Sequence, residues 1–186
     1  MEGVPVVPQP FEQAIRAILS EWESDLGADR VAYTNHVLRV LSFCDGLAGT
    51  AGAAAPSAQP HFQVAAAFHD LGVWTHHTFD YLPPSIELAA RWLTDHGQDA
   101  SIPLVATMID EHHKIRRAPG HPDVEVFRRA DLVDVSAGLR RFGLPRAEYR
   151  TIARRFPDAG FRRRLAQLGV QRIRSHPLSP LPMLKW

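Results

Sequence analysis

Apolar side chains return every three or four residues along almost the whole chain, and nowhere does a two-residue alternation run between hairpin turns. That spacing gathers apolar groups on one face of a helix but scatters them over both faces of a strand, so the expected fold is all-α. Phe11, Ile15, Ile18, Leu19 and Trp22 form the stripe of a first helix that Gly27 closes. A second helix runs from about Asp29 into the forties, with Val37, Val40 and Leu41 inward and His36 among them. A third begins near His61 and ends around Gly72, which places His69 and Asp70 in its last turn. Further helices are expected over 86–95 behind a Ser85 cap, over 102–113, from Pro122 through Leu132, and over 146–155 and 161–174.

Between these elements, residues 49–60 (GTAGAAAPSAQP) read as a flexible surface connection, and Val73 to Pro84 as a long loop of the kind that often carries function. The terminal SHPLSPLPMLKW is punctuated by prolines and reads as extended. With 186 residues the chain holds one domain of about seven or eight helices: a motif region at 30–135, a basic helical tail at 136–175 and an extended terminus at 176–186.

Composition narrows the function classes. The opening segment to Pro10 has neither the basic cluster nor the apolar core of a secretory leader, and no run of about 18 apolar residues occurs. A soluble, cytoplasmic protein with no membrane partner is expected. The single cysteine, Cys44, offers neither an internal disulfide nor a thiolate cluster and reads as a small buried hydrophobe. The net charge of +1 conceals a division, with 4 Lys+Arg against 14 Asp+Glu up to residue 111 and 17 against 6 beyond it. The basic half interleaves its arginines with Phe and Leu at helical spacing, so nucleic acid is not the expected partner.

Histidines and carboxylates on apolar helices carry the chemistry. His36, the adjacent His69 and Asp70, and Asp131 each fall on or beside an apolar stretch, where a carboxylate is costly unless it is paired or holds a cation. Two imidazoles and two carboxylates suit a divalent ion (Mn, Fe, Co, Ni, Zn or Mg) and balance its charge. Four protein ligands in an octahedral sphere leave room for water and substrate. Arg39 follows His36 by three residues on the same helix and can either bind a phosphate bidentately in a shared cavity or form a salt bridge with an acidic neighbour. His112 and His113 can contact phosphate or metal, or merely complement a helix dipole. His76, His77, Asp80 and Tyr81 can line a pocket mouth, whereas Trp74, Phe79 and Trp92 read as core or lid and Glu111 as surface.

The strings NHVLRV, AAAFHDLG, MIDEHHK and RRADLVD together resemble the HD-domain superfamily of metal-dependent phosphohydrolases, over roughly residues 30 to 135. The resemblance implies metal ligation by His36, His69, Asp70 and Asp131, with Asp134 a weaker competitor for the last place because Asp131 follows Ala130 in the family's Ala-Asp context. Two departures from the family stand out. Val73 stands where many members carry a Glu, Lys or His four residues after the motif histidine, and Leu82, Pro83 and Pro84 stand where two-metal members have a further histidine. One ion per chain is therefore expected.

The activity implied is hydrolysis of a small phosphorylated metabolite or nucleotide, with Asp70 orienting water and Arg39, His112 and His113 meeting the phosphate's charge. Three alternatives stay open: a di-iron oxygenase, a hydratase, and a non-catalytic module binding metal or nucleotide. Homo-oligomerisation is also left open.

Overall fold

The computed structural model describes residues 9–50, 52–116 and 120–175; the start of the opening segment and the terminal stretch from 176 lie outside them. Among the described residues there is no strand. Eight helices and two single turns follow in order: α1 (Pro10–Ser20), the turn α2 (Glu23–Leu26), α3 (Arg30–Ala48), α4 (Pro60–Phe68), the turn α5 (Gly72–Thr75), α6 (Leu82–Asp95), α7 (Ile102–Glu111), α8 (Pro122–Val135), α9 (Arg146–Arg155) and α10 (Phe161–Ser175). None is long and apolar enough to cross a membrane.

The longest helix, α3, runs through the middle. It packs against α8, α4, α1 and α9, and buries Tyr33, Val37, Leu38, Val40, Leu41, Phe43 and Cys44 on several sides at once. Over residues 36–41 the helix is buried on every side and has no solvated face. The polar residues there, His36 and Arg39, must find partners inside the protein.

Three connections differ from expectation. Residues 52–54 and 56–58 form 3-10 turns; Pro56 and Ser57 are buried, and the Ser57 amide donates to Asp45 Oδ1 at 2.8 Å. The third helix ends at Phe68, so His69 and Asp70 lie in the turn 69–71 just beyond it, and a further helical turn, α5, opens at Gly72. What glycine supplies there is room: a Cβ would meet the Tyr81 carbonyl at 2.6 Å and Ser85 Oγ at 2.9 Å. Finally, α6 begins at Leu82, not behind Ser85, because Pro83 and Pro84 fit a first turn whose amides need no helical partner. Ser85 is buried, and its hydroxyl accepts from the Gly72 amide at 3.0 Å.

Gly72→Ala is expected to cost about 1–3 kcal/mol, because the clash is with backbone that cannot rotate away. Urea unfolding will show it, and an unchanged midpoint would mean that the α5–α6 contact is looser than described.

Candidate metal centre

Three histidines are locked with Nε2 facing inward. His36 Nδ1 lies 2.7 Å from Asp134 Oδ2, His69 Nδ1 lies 2.8 Å from the Ala66 carbonyl, and His112 Nδ1 lies 2.6 Å from the Ile109 carbonyl. A carboxylate or carbonyl oxygen only accepts, so each Nδ1 carries the proton and each Nε2 is left with its lone pair when the ring is neutral. This second hydrogen bond is how metal-binding histidines are normally oriented. The Nε2 atoms of His36 and His69 face each other at 2.9 Å. Burial lowers the His69 pKa to about 3, so that ring is neutral at pH 7.

Two carboxylates close on the same point. Asp70 Oδ2 lies 3.6 Å from His69 Nε2 and 3.8 Å from His36 Nε2; Asp131 Oδ1 lies 3.8 Å and 3.7 Å from the same two atoms. The structure thus brings together His36, His69, Asp70 and Asp131, drawn from α3, the end of α4 and α8. Asp70 Oδ1, both oxygens of Asp131 and His112 Nε2 are buried without a hydrogen-bond partner. Buried polar atoms are almost always satisfied, and a cation among these side chains would satisfy the carboxylate oxygens.

The electrostatics are tightly coupled. Burial pushes the Asp131 carboxyl up to about 6, although His112 and His36 pull the other way. Burial also works against ionised Asp70, but the charge of His69 when protonated, and the hydrogen bond and charge of His112, hold that carboxyl well below the usual range. For His112 burial opposes the charge, while Asp70 and Asp131 raise its pKa. Burial, reinforced by His112, lowers the His113 pKa well below the usual value.

Asp70 is shared by two groups whose donor atoms lie within 4.8 Å of one another: His36, His69 and Asp70, and Asp70, His112 and His113. His112 Nε2 is 3.4 Å from Asp70 Oδ1, and His113 Nδ1 is 3.9 Å from Asp131 Oδ2. Half-buried His113 stands at the edge of the cluster, where the buried Tyr81 hydroxyl meets its Nε2 at 2.5 Å. Of the four loop residues considered for the pocket mouth, Tyr81 is the one that reaches the cluster; His76, His77 and Asp80 are exposed.

Arg39 takes a place other than the one expected. Its Nε and Nη2 bind Asp134 Oδ1 and Oδ2 at 2.6 and 2.8 Å, and its Nη1 binds the carbonyls of Phe156 and Pro157 at 2.9 and 3.2 Å. Its guanidinium is thus spent inside the fold and does not face the cluster as a phosphate clamp. Asp134, in turn, orients His36 from behind; Arg162 of α10 also binds its carboxylate, at 3.0 Å. Phe161 stacks on the His36 ring at 4.0 Å. Phe161 and Arg162, at the start of α10, thus back the cluster. Asp134 stands one helical turn beyond Asp131, a spacing that sequence reasoning weighed only as competition for one role.

No family profile, curated protein or solved structure matches this chain. What can be said of the centre rests on its own geometry: buried His and Asp groups, arranged so that they could hold a metal ion.

Proposed function

We propose that the chain is a metal-dependent phosphohydrolase of the HD type, acting on a small phosphorylated metabolite or nucleotide. The observation that carries this reading is the convergence of His36, His69, Asp70 and Asp131 in a buried site where both Asp131 oxygens and Asp70 Oδ1 lack hydrogen-bond partners. The donor set suits a divalent ion of the manganese-to-zinc series or magnesium. When bound, such an ion supplies Lewis-acid polarisation of a phosphoryl oxygen and a lowered pKa for coordinated water.

The side chains supply the rest. Asp70, held ionised, accepts a hydrogen bond from the attacking water and orients it. His112, fixed by the Ile109 carbonyl, and His113 at the edge meet charge on the phosphate. Val73 has no proton to give, and the residue best placed to take that part is Tyr81 through its bond to His113. Arg39 acts at one remove, by holding Asp134 on His36.

Metal analysis of the purified protein, followed by phosphate release across nucleotides and sugar phosphates, tests the proposal. Metal-dependent release that disappears in His69→Ala is the expected result. A metal-loaded protein that releases phosphate from nothing in the panel would refute it. The second group around Asp70 favours one further reading, a two-metal oxygenase or hydratase. Two irons per chain with oxygen consumption would select oxygenation.

A further inference from the structure

A cavity of about 760 Å³ lies between residues 25–29, the segment 73–79 and α10. Two buried side chains in succession, Trp74 and Tyr33, stand between it and the His/Asp cluster, and its described lining includes none of the cluster's residues. A substrate held at the cluster therefore does not extend into it, and its occupant is a separate molecule. The volume lies within the roughly 300–1,000 Å³ usual for small-molecule sites.

Its walls belong to the two elements that back the cluster. Val73 and Trp74 come from α5, which starts two residues after Asp70; Arg164, Leu168, Gln171 and Arg172 come from α10, whose first residues are Phe161 and Arg162. Phe161 stacks on His36, and Arg162 binds Asp134, the carboxylate that orients the same ring. The Trp74 ring lies 4.7 Å from that of Tyr33 and 6.4 Å from that of Phe161, and Tyr33 lies 6.3 and 6.4 Å from the rings of His36 and His69. A molecule wedged between α5 and α10 thus presses on the aromatic layer packed against both histidines.

The lining selects by charge. Leu26, Val73, Trp74, Phe79 and Leu168 supply apolar surface, while Asp25 and Asp29 stand with Arg164 and Arg172, two charges of each sign. Asp29 pairs with Arg164 at 2.9 Å and accepts from Trp74 Nε1 at 3.1 Å. An anion would meet the aspartates and a cation the arginines, and either would shed its water for little gain. A flat uncharged body gains the apolar and aromatic wall without that cost.

We infer that this cavity is an effector site for a small uncharged aromatic molecule, and that filling it tightens metal binding at the cluster. An occupant adds packing that holds Phe161 and Arg162 against His36 and Asp134, and a ring already oriented binds an ion more tightly. The coupling is reciprocal, so metal raises affinity for the effector by the same factor. The inference rests on the reading of the cluster as a metal centre and holds whichever reaction that centre performs.

Calorimetry on the full chain tests both parts. Indole-3-acetamide, which is uncharged, is expected to bind about fivefold or more tightly than indole-3-acetate, an anion, and tryptamine, a cation, which share its ring. Leu168→Trp, which fills the cavity, should remove this binding; Gln171→Trp, at an exposed position of the lining, should do the same and serves where the first variant fails to fold. Saturating indole-3-acetamide should raise manganese affinity about fivefold or more, and the rise should vanish in either variant. Equal affinity for the three probes, binding that survives both substitutions, or a manganese affinity that does not respond overturns the inference. If the chain takes up neither manganese nor zinc, the metal-centre reading fails by itself. Indole-3-acetamide binding that the substitutions remove then retains the cavity as a site for such a molecule, and no binding overturns that as well.

Discussion

Asp134→Ala is expected to destabilise the protein by about 3–5 kcal/mol, the usual cost of stranding one member of a buried ion pair. Arg39 is only 1% exposed and fixed inside the fold by Asp134 and two carbonyls. Remove the carboxylate and its charge stays buried, with Asp158 at 4.0 Å the carboxylate left to face it. Burial alone would raise the Asp134 pKa, but the bonds from His36 and Arg39 reverse that and hold it well below the ordinary range. In a domain of this size the loss corresponds to roughly 6–20 °C in Tm.

Two further readouts separate a stranded charge from simple loss of packing. Adding Arg39→Met should recover much of the stability, since the double variant leaves no uncompensated charge. It should not recover metal affinity, which is expected to fall about 10–100-fold because the His36 ring loses the carboxylate that orients it. A single variant as stable as the parent would show that the arginine finds other support.

How much of this was legible beforehand depended on whether a feature was local. The helices could be read because the spacing of Ile15, Ile18 and Leu19, or of Val37, Val40 and Leu41, states locally which face is buried. His36, His69, Asp70 and Asp131 stood out through the likeness of NHVLRV, AAAFHDLG and RRADLVD to HD-type strings, to which the cost of a carboxylate among apolar neighbours added support. Arg39 was misassigned for a different cause. Its position beside His36 on α3 was readable, but the direction of its guanidinium depends on Asp134 and on the carbonyls of Phe156 and Pro157, more than ninety residues away in sequence. The same limit hid Phe161 and Arg162, whose closeness to His36 and Asp134 is set by how α10 returns against α3. Pro83 and Pro84 misled locally: two prolines read as the end of a loop, yet both fit the first turn of α6.

The opposite sign of effect is expected at the neighbouring carboxylate. Asp131→Asn should stabilise the metal-free protein by about 1–3 kcal/mol, because both oxygens of Asp131 are buried with no hydrogen-bond partner and the amide keeps the shape while removing the charge. The same variant should lose its response to metal. Manganese or zinc at a thousand times Kd is worth about 4 kcal/mol to the parent, since an ion that binds only the folded state stabilises it by mass action, and Asp131→Asn should show almost none of this. Unfolding of both proteins with chelator and with excess metal gives four numbers. The prediction requires that the two curves cross: variant above parent with chelator, parent above variant with metal. If the variant is the weaker protein in both conditions, Asp131 is an ordinary structural carboxylate. If it gains from metal as the parent does, the ion is held without it. A crossing has a plain physical meaning: the fold carries a buried charge that weakens it until a cation arrives, as a site built to bind an ion must.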